Sequence, residues 1–210
     1  MAAPTYPIDM PTSPNFSQST FGLQRFVSVS ASPYTGYQQS HEWPFSNWTA
    51  TLTLPPMKRE QAREWQAFFM LLHGRKGFFL LGDPDAKSPT GSIGASLTVR
   101  TTAAVAIGAH DVPIDGLNAL TPYVLRKGDY LQFGSASTAK LHMVVNNPTS
   151  DALGACTVTV EPPIKTALLN DALVTYVSAQ GLFRLSDNYT SWDANAISVY
   201  GITFSCNEVL

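Results

Sequence analysis

The sequence predicts a mainly β protein: a β-sandwich or barrel-like domain braced by one α-helix, with a small β-barrel domain inserted into it. Three observations lead there. Only one stretch, Pro55–Gly74, repeats its apolar residues at helical spacing. Short runs of alternating apolar and polar residues, bounded by Gly, Pro, Asn and Asp, fill most of the rest. Near Ser96 the strands become shorter and richer in Ala and Thr, and near Gly181 longer strands return.

The opening residues, 1–20, carry Pro4, Pro7, Pro11 and Pro14 among small polar residues. Proline fixes φ and removes a donor, so this segment is neither helix nor inner strand. Tyr6, Ile8 and Phe16 punctuate it. It reads either as a loose terminus or as an extended arm whose apolar side chains dock on a neighbouring surface. In Phe26–Ala31, Val27, Val29 and Ala31 alternate with serines, which predicts a half-buried strand. Ser32–Gln39 is a turn. Along Asn47–Leu54 the row Trp48, Ala50, Leu52 and Leu54 opposes Thr49, Thr51 and Thr53, and threonine suits an exposed pleated face.

The helix is expected over about residues 56–73. Pro55–Pro56 suits a first turn, and Gly74 suits the left-handed position after the last. Trp65, Phe68, Phe69 and Leu72 fall at i, i+3, i+4 and i+7 and form one apolar stripe. Ordering each residue costs about 1–2 kcal/mol, so the helix needs an apolar surface to pack on. The Trp48–Leu54 row is the nearest. Beyond it, Phe78–Leu81 reads as a strand buried on both faces. Short strands follow at Ser96–Thr101, Val105–Ile114, Tyr130–Gly134, Lys140–Val145 and Ala155–Val160, a spacing that suits a small barrel or sandwich. In Ala196–Leu210, Ile197 and Val199 share one parity and Ile202, Phe204 and Cys206 the other, which predicts a bulge at Tyr200–Gly201.

Composition narrows the function. The 210 residues are 44% hydrophobic, enough for a core, but only 13% are charged. That is about half the usual share, and such a surface suits contact with other subunits. The net charge of −2 comes without a basic run, so the cationic stripe that nucleic acid requires is missing. No apolar run is long enough to span a bilayer, and the first residues lack the cationic and apolar segments of a secretory signal. Cys156 and Cys206 are expected to be free, buried thiols.

No catalytic, cofactor or metal site is expected. The chain has no phosphate-binding glycine loop and no nucleophile elbow. His41, His73, His110 and His142 are too scattered for local metal-ligand spacing. His110–Asp111 matches a dipeptide of metal phosphohydrolases but lacks their helical context, and it reads as a strand-end turn. Gly82–Asp85 brings two carboxylates near each other but is built of turn-forming dipeptides. His41–Trp43 marks a polar spot on a loop. Trp43, Phe45 and Trp48 would make an aromatic sugar platform, although Trp48 already belongs to the apolar row.

The order of the pieces is more distinctive than any one of them. The turn Ser32–Gln39 precedes a Trp48-x-Ala50-x-Leu52-x-Leu54-Pro-Pro-Met57 strand, and a helix with Trp65-x-Ala67-Phe68 follows. Next come Leu72–Pro84 (LHGRKGFFLLGDP), Leu125–Gly134 (LRKGDYLQFG), Thr159–Ile164 (TVEPPI) and the closing Gly181–Glu208 (GLFRLSDN…W…ITFSCNE). From about Arg25 to Glu208 this series resembles the distal tail proteins of bacteriophages with long non-contractile tails. The resemblance implies a structural virion protein, not an enzyme, made in the host cytoplasm and built into the tail tip. It implies a ring, commonly a homohexamer, that joins the tail tube protein to the tail-tip hub protein and to fibre or receptor-binding proteins in host attachment. It also implies a hub domain of residues 1–94 plus 179–210, with 95–178 as the inserted β domain. The sheet's threonine face would meet a wet channel, and an arm carrying Tyr6, Ile8 and Phe16 would clasp the neighbouring subunit. Two alternatives are another tail tube or tail-completion protein and a lectin-like carbohydrate-binding module on the virion.

Overall fold

Alternation along Trp48–Leu54 gives one apolar row, and that row is the floor of the main core. The computed structural model describes residues 4–94, 96–194 and 199–210. In chain order the first strands are β1 (Gln18–Ala31), β2 (Gln38–Thr53), β3 (Met57–Lys58), β4 (Phe79–Leu81), β5 (Val99–Thr101), β6 (Asp111–Asp115) and β7 (Tyr130–Phe133). They are followed by β8 (Lys140–Val144), β9 (Cys156–Glu161), β10 (Leu173–Thr175), β11 (Gly181–Leu185), β12 (Asp193–Ala194), β13 (Val199–Gly201) and β14 (Thr203–Glu208). The helix α1 spans Arg59–Leu72. Among the described residues the expected class is present: mainly β, with one α-helix and a closed barrel.

The strands make three assemblies. A five-stranded antiparallel sheet has the order β1-β2-β14-β11-β4. A three-stranded sheet has the order β12-β13-β3, and six strands close a barrel in the order β10-β5-β6-β9-β8-β7. The barrel's strands therefore come from 99–175 and the large sheet's from 18–81 and 181–208.

One face of the large sheet carries Trp48, Ala50, Leu52, Phe183, Phe204 and Cys206, all buried. Two covers share it. At one end α1 lays down Trp65, Phe68, Phe69 and Leu72, each buried. The Phe69 ring meets Phe204 at 5.0 Å and the Phe68 ring meets Phe79 at 5.5 Å, both edge-on, the arrangement aromatic quadrupoles prefer. At the other end the barrel's outer side takes over: Tyr130 stands 5.6 Å from Trp48, and Leu141 joins the same core. The barrel keeps a second core of its own around Val112, Ile114, Leu131, Val158 and Val160. Truncating Phe68 to Ala empties ring volume between α1 and β4. A loss of about 3–5 kcal/mol is expected in urea unfolding; a loss under 1 kcal/mol would put that ring outside the core.

The structure corrects four local readings. The helix begins at Arg59, later than expected, because Met57–Lys58 pairs with β13 as a strand. His73 (φ 51°) and Gly74 (φ 67°) both end it in the left-handed region. The parity change near Tyr200 is not a bulge: β13 and β14 belong to different sheets, and the chain crosses between them at Ile202. Ile197 lies outside the described residues. In Phe78–Leu81 only Phe79 and Leu81 are buried, so that strand alternates. The fourth is the largest. Val27 and Val29 are half or more exposed instead of half-buried, because the strand that carries them leaves the body of the protein.

Candidate assembly surface

β1 and β2 form one long hairpin, and among the described residues only its lower half pairs with another strand. Gln18–Arg25 pairs with Thr53–Ser46, and Thr49–Thr53 also pairs with β14. The register then shifts between Arg25 and Val27, where Phe26 alone opposes Trp43-Pro44-Phe45. Pro44 has no N–H to donate, so it is tolerated where the ladder is already interrupted. Pairing resumes at Val27↔Glu42 and runs to Ala31↔Gln38.

This upper half reaches about 20 Å beyond the sheet at ~3.3 Å per residue. Every residue from Val27 to Phe45 except Ser32 is exposed. The turn at its tip is well made: the Ser32 N–H donates to the Tyr37 carbonyl at 2.9 Å, the Gly36 N–H donates to the Ser32 carbonyl at 2.9 Å, and Gly36 takes φ 72°. Tyr34 (96%) and Tyr37 (82%) stand almost wholly in solvent. The Phe26 and Phe45 rings pair at a tilt, 4.9 Å apart, and the His41 and Trp43 rings meet edge-on at 5.0 Å.

Only one residue between Phe26 and Ser46, Glu42, carries a formal charge, and it is used at the root. Arg25 donates to Glu42 at 3.0 Å and to Glu161 of β9 at 2.9 Å, while His110 lies 3.1 Å from Glu161. Burial works against the Arg25 charge, but the two carboxylates outweigh it and raise the Arg25 pKa. This group ties the hairpin's root to the barrel. An isolated two-stranded hairpin is marginal in water, and monomeric proteins rarely leave such an uncharged, aromatic surface bare.

The backbone adds a second constraint. β1 is an edge of the large sheet, and above Asn47 β2 has lost β14. Among the described residues the upper hairpin thus has an open edge on each side. The opposite edge of the sheet is capped: Ile8 bridges Phe79, and its N–H donates to the Phe78 carbonyl at 2.8 Å. Tyr6 packs edge-on against Phe78 at 5.9 Å, and Phe16 sits against Trp65 at 5.8 Å and Phe204 at 6.2 Å. The Trp65 indole N–H donates to the Ser13 carbonyl at 3.2 Å. In this chain the arm is a strap over its own helix, so Tyr6, Ile8 and Phe16 already have intrachain partners. Phe16→Ala should cost about 2 kcal/mol. The loss should be the same at every protein concentration; a loss that grows on dilution would mean that the ring docks on a neighbour.

The other sequence candidates separate. Trp48 is buried and donates its indole N–H to the Leu141 carbonyl at 2.8 Å, so it cannot join Trp43 and Phe45 in a sugar platform. Asp111 accepts from Thr159 at 2.7 Å while His110 turns to Glu161. Asp83 accepts from the Asp85 N–H at 3.1 Å, a local turn, and from the Tyr130 hydroxyl at 3.2 Å. Among the described residues no three His, Cys, Asp or Glu side chains gather to hold a metal. Both cysteines are free, with Cys206 buried and Cys156 half-buried. Burial pushes the Cys206 thiol up to about 12 and the Cys156 thiol up to about 11, so neither is a thiolate at neutral pH. No helix among the described residues is long and apolar enough to cross a membrane.

Sequence reasoning missed the projection of the hairpin and a buried polar group at Glu208. The first left a trace in the single charge between Phe26 and Ser46. The second was visible in parity, since Glu208 continues the row Ile202, Phe204, Cys206 onto the buried face. No protein-family model matches the chain, and no curated protein matches it.

Proposed function

We propose that the chain is a structural ring subunit of a phage tail tip, and that its upper hairpin is the element that closes the ring. The two-edged, nearly uncharged hairpin carries this reading. A strand pair open on both sides joins head to tail, the β2 edge of one copy against the β1 edge of the next. Such heterologous contacts close into a ring when the rotation fits, and a closed barrel of hairpins leaves no edge exposed. The resemblance to distal tail proteins supplies the setting: the virion, between the tail tube protein and the tail-tip hub, with fibre or receptor-binding proteins on the outside.

The sheet's outer face is consistent with a wet channel. It presents Thr20, Thr49, Thr51, Thr53, Thr203 and Ser205, and several satisfy one another: Thr51 and Ser205 at 2.9 Å, Thr53 and Thr203 at 3.2 Å. Helix and barrel both lie on the opposite face, where they would form the ring's outer wall. The proposal rests on the hairpin and not on the arm, whose apolar side chains are engaged by their own chain. Substituting Val29 and Trp43 with Lys tests it by placing charges along the hairpin. Size-exclusion chromatography should show rings reduced to folded monomers; unchanged rings would remove the hairpin from the contact. If the same chain instead binds a glycan array through Trp43, the lectin-like reading takes precedence.

A further inference from the structure

The sheet and the barrel have separate apolar cores, and a polar seam joins them. Glu208, at the end of β14, has a side chain with no exposed surface. Its carboxylate accepts from three directions: the Trp48 N–H of β2 at 3.2 Å, the Leu141 N–H of β8 at 3.4 Å, and the Lys165 ammonium beyond β9. The next residue extends the seam, since Lys140 of β8 donates to the Val209 carbonyl at 2.6 Å and the Val209 N–H donates to the Leu182 carbonyl at 2.8 Å. The Trp48 indole crosses the same boundary to Leu141. No buried side-chain nitrogen or oxygen among the described residues lacks a partner.

Apolar contact between Tyr130, Leu141, Trp48 and Phe21 holds the two bodies together but tolerates sliding, because dispersion and water exclusion are not directional. A buried carboxylate is different. It must keep its partners or bear the full desolvation penalty, so it permits one orientation. We infer that Glu208 is a latch that fixes the barrel's orientation on the sheet, so that the two unfold and move as one body, and that removing it frees the barrel without unfolding it. This holds whether or not the chain forms rings, because the latch is read from a single chain.

Hydrogen exchange on the intact chain, with calorimetry alongside, tests the latch. Glu208→Gln keeps the shape and removes the charge. The Trp48 and Leu141 amides should then exchange about ten- to a hundredfold faster, the range for losing hydrogen bonds to a charged group. Val158 and Val160 inside the barrel should keep their protection, and the single melting transition should split in two. Lys165→Gln, which leaves Glu208 its two N–H donors, should give a smaller change in the same direction and guards against a Glu208 variant that fails to fold. Unchanged exchange at Trp48 and Leu141 in either folded variant would overturn the latch. So would an equal loss of protection throughout the barrel, which would make Glu208 an ordinary support of the whole fold.

Discussion

Replacing residues 28–41 with Asn-Gly should leave a folded protein that no longer assembles at any concentration. The graft is sound locally. Val27 and Glu42 are already cross-strand partners, and Asn-Gly supplies the left-handed backbone of a tight hairpin turn. The excised residues contribute nothing to either core, so the melting temperature of the monomer should move by only a few degrees, about 2–4 °C per kcal/mol for a chain of this size. The Arg25 contacts to Glu42 and Glu161 remain in place. Assembly, in contrast, should fall to nothing, since both open edges and the exposed tyrosines go together. Sedimentation of the variant at rising concentration reads the result; rings of normal mass would show that the contact lies elsewhere.

Acid should destabilise the fold through one side chain. His142 is 1% exposed on β8, and its Nδ1 carries a proton, because the Pro162 carbonyl 2.7 Å away only accepts. Burial pushes its pKa down from 6.5 to about 3 against the pull of that bond, and Lys165 and Lys140 add to the shift. Glu208 accepts from Lys165 and attracts Lys140 electrostatically, and the Phe133 ring lies 5.4 Å from the imidazole. Between pH 6.5 and 3 the unfolded chain binds a proton that the folded chain refuses. The contribution is therefore fully present above pH 6.5 and is lost as pH falls toward 3. Over that window it amounts to roughly 4–5 kcal/mol at about 1.4 per pH unit. Urea midpoints measured from pH 7 to 3.5 should fall steadily, and His142→Gln should flatten the slope by about one proton. An identical slope in the variant would place the acid sensitivity elsewhere.

How much of this was legible beforehand depends on where a residue's partner lies. The helix stripe of Trp65, Phe68, Phe69 and Leu72 and the row from Trp48 to Leu54 follow local periods, so pattern alone finds them. The short strands with turns between them suit a barrel or a sandwich alike, and only the pairing of β10 with both β5 and β7 closes them into a barrel. Val27 and Val29 show the opposite case. Their alternation is that of a half-buried strand, yet nothing in a period says whether the surface they face belongs to the same chain. The parity switch at Tyr200–Gly201 reads as a bulge because a change of sheet and a bulge shift parity alike. The seam at Glu208 depends on residues from β2, β8 and the segment after β9, brought together only by tertiary structure. The parity of Glu208 holds a signal of its burial that the sequence reading passes over, and its partners come only from the fold.

The central claim is that the upper hairpin pairs with copies of itself around an axis. Negative-stain imaging of the intact chain, with the particle mass checked by sedimentation, tests it most directly. Closed rings with a central opening, lined by density for paired hairpins, are the expected result. Monomers at every concentration, or two-fold dimers joined β1 to β1, would contradict it.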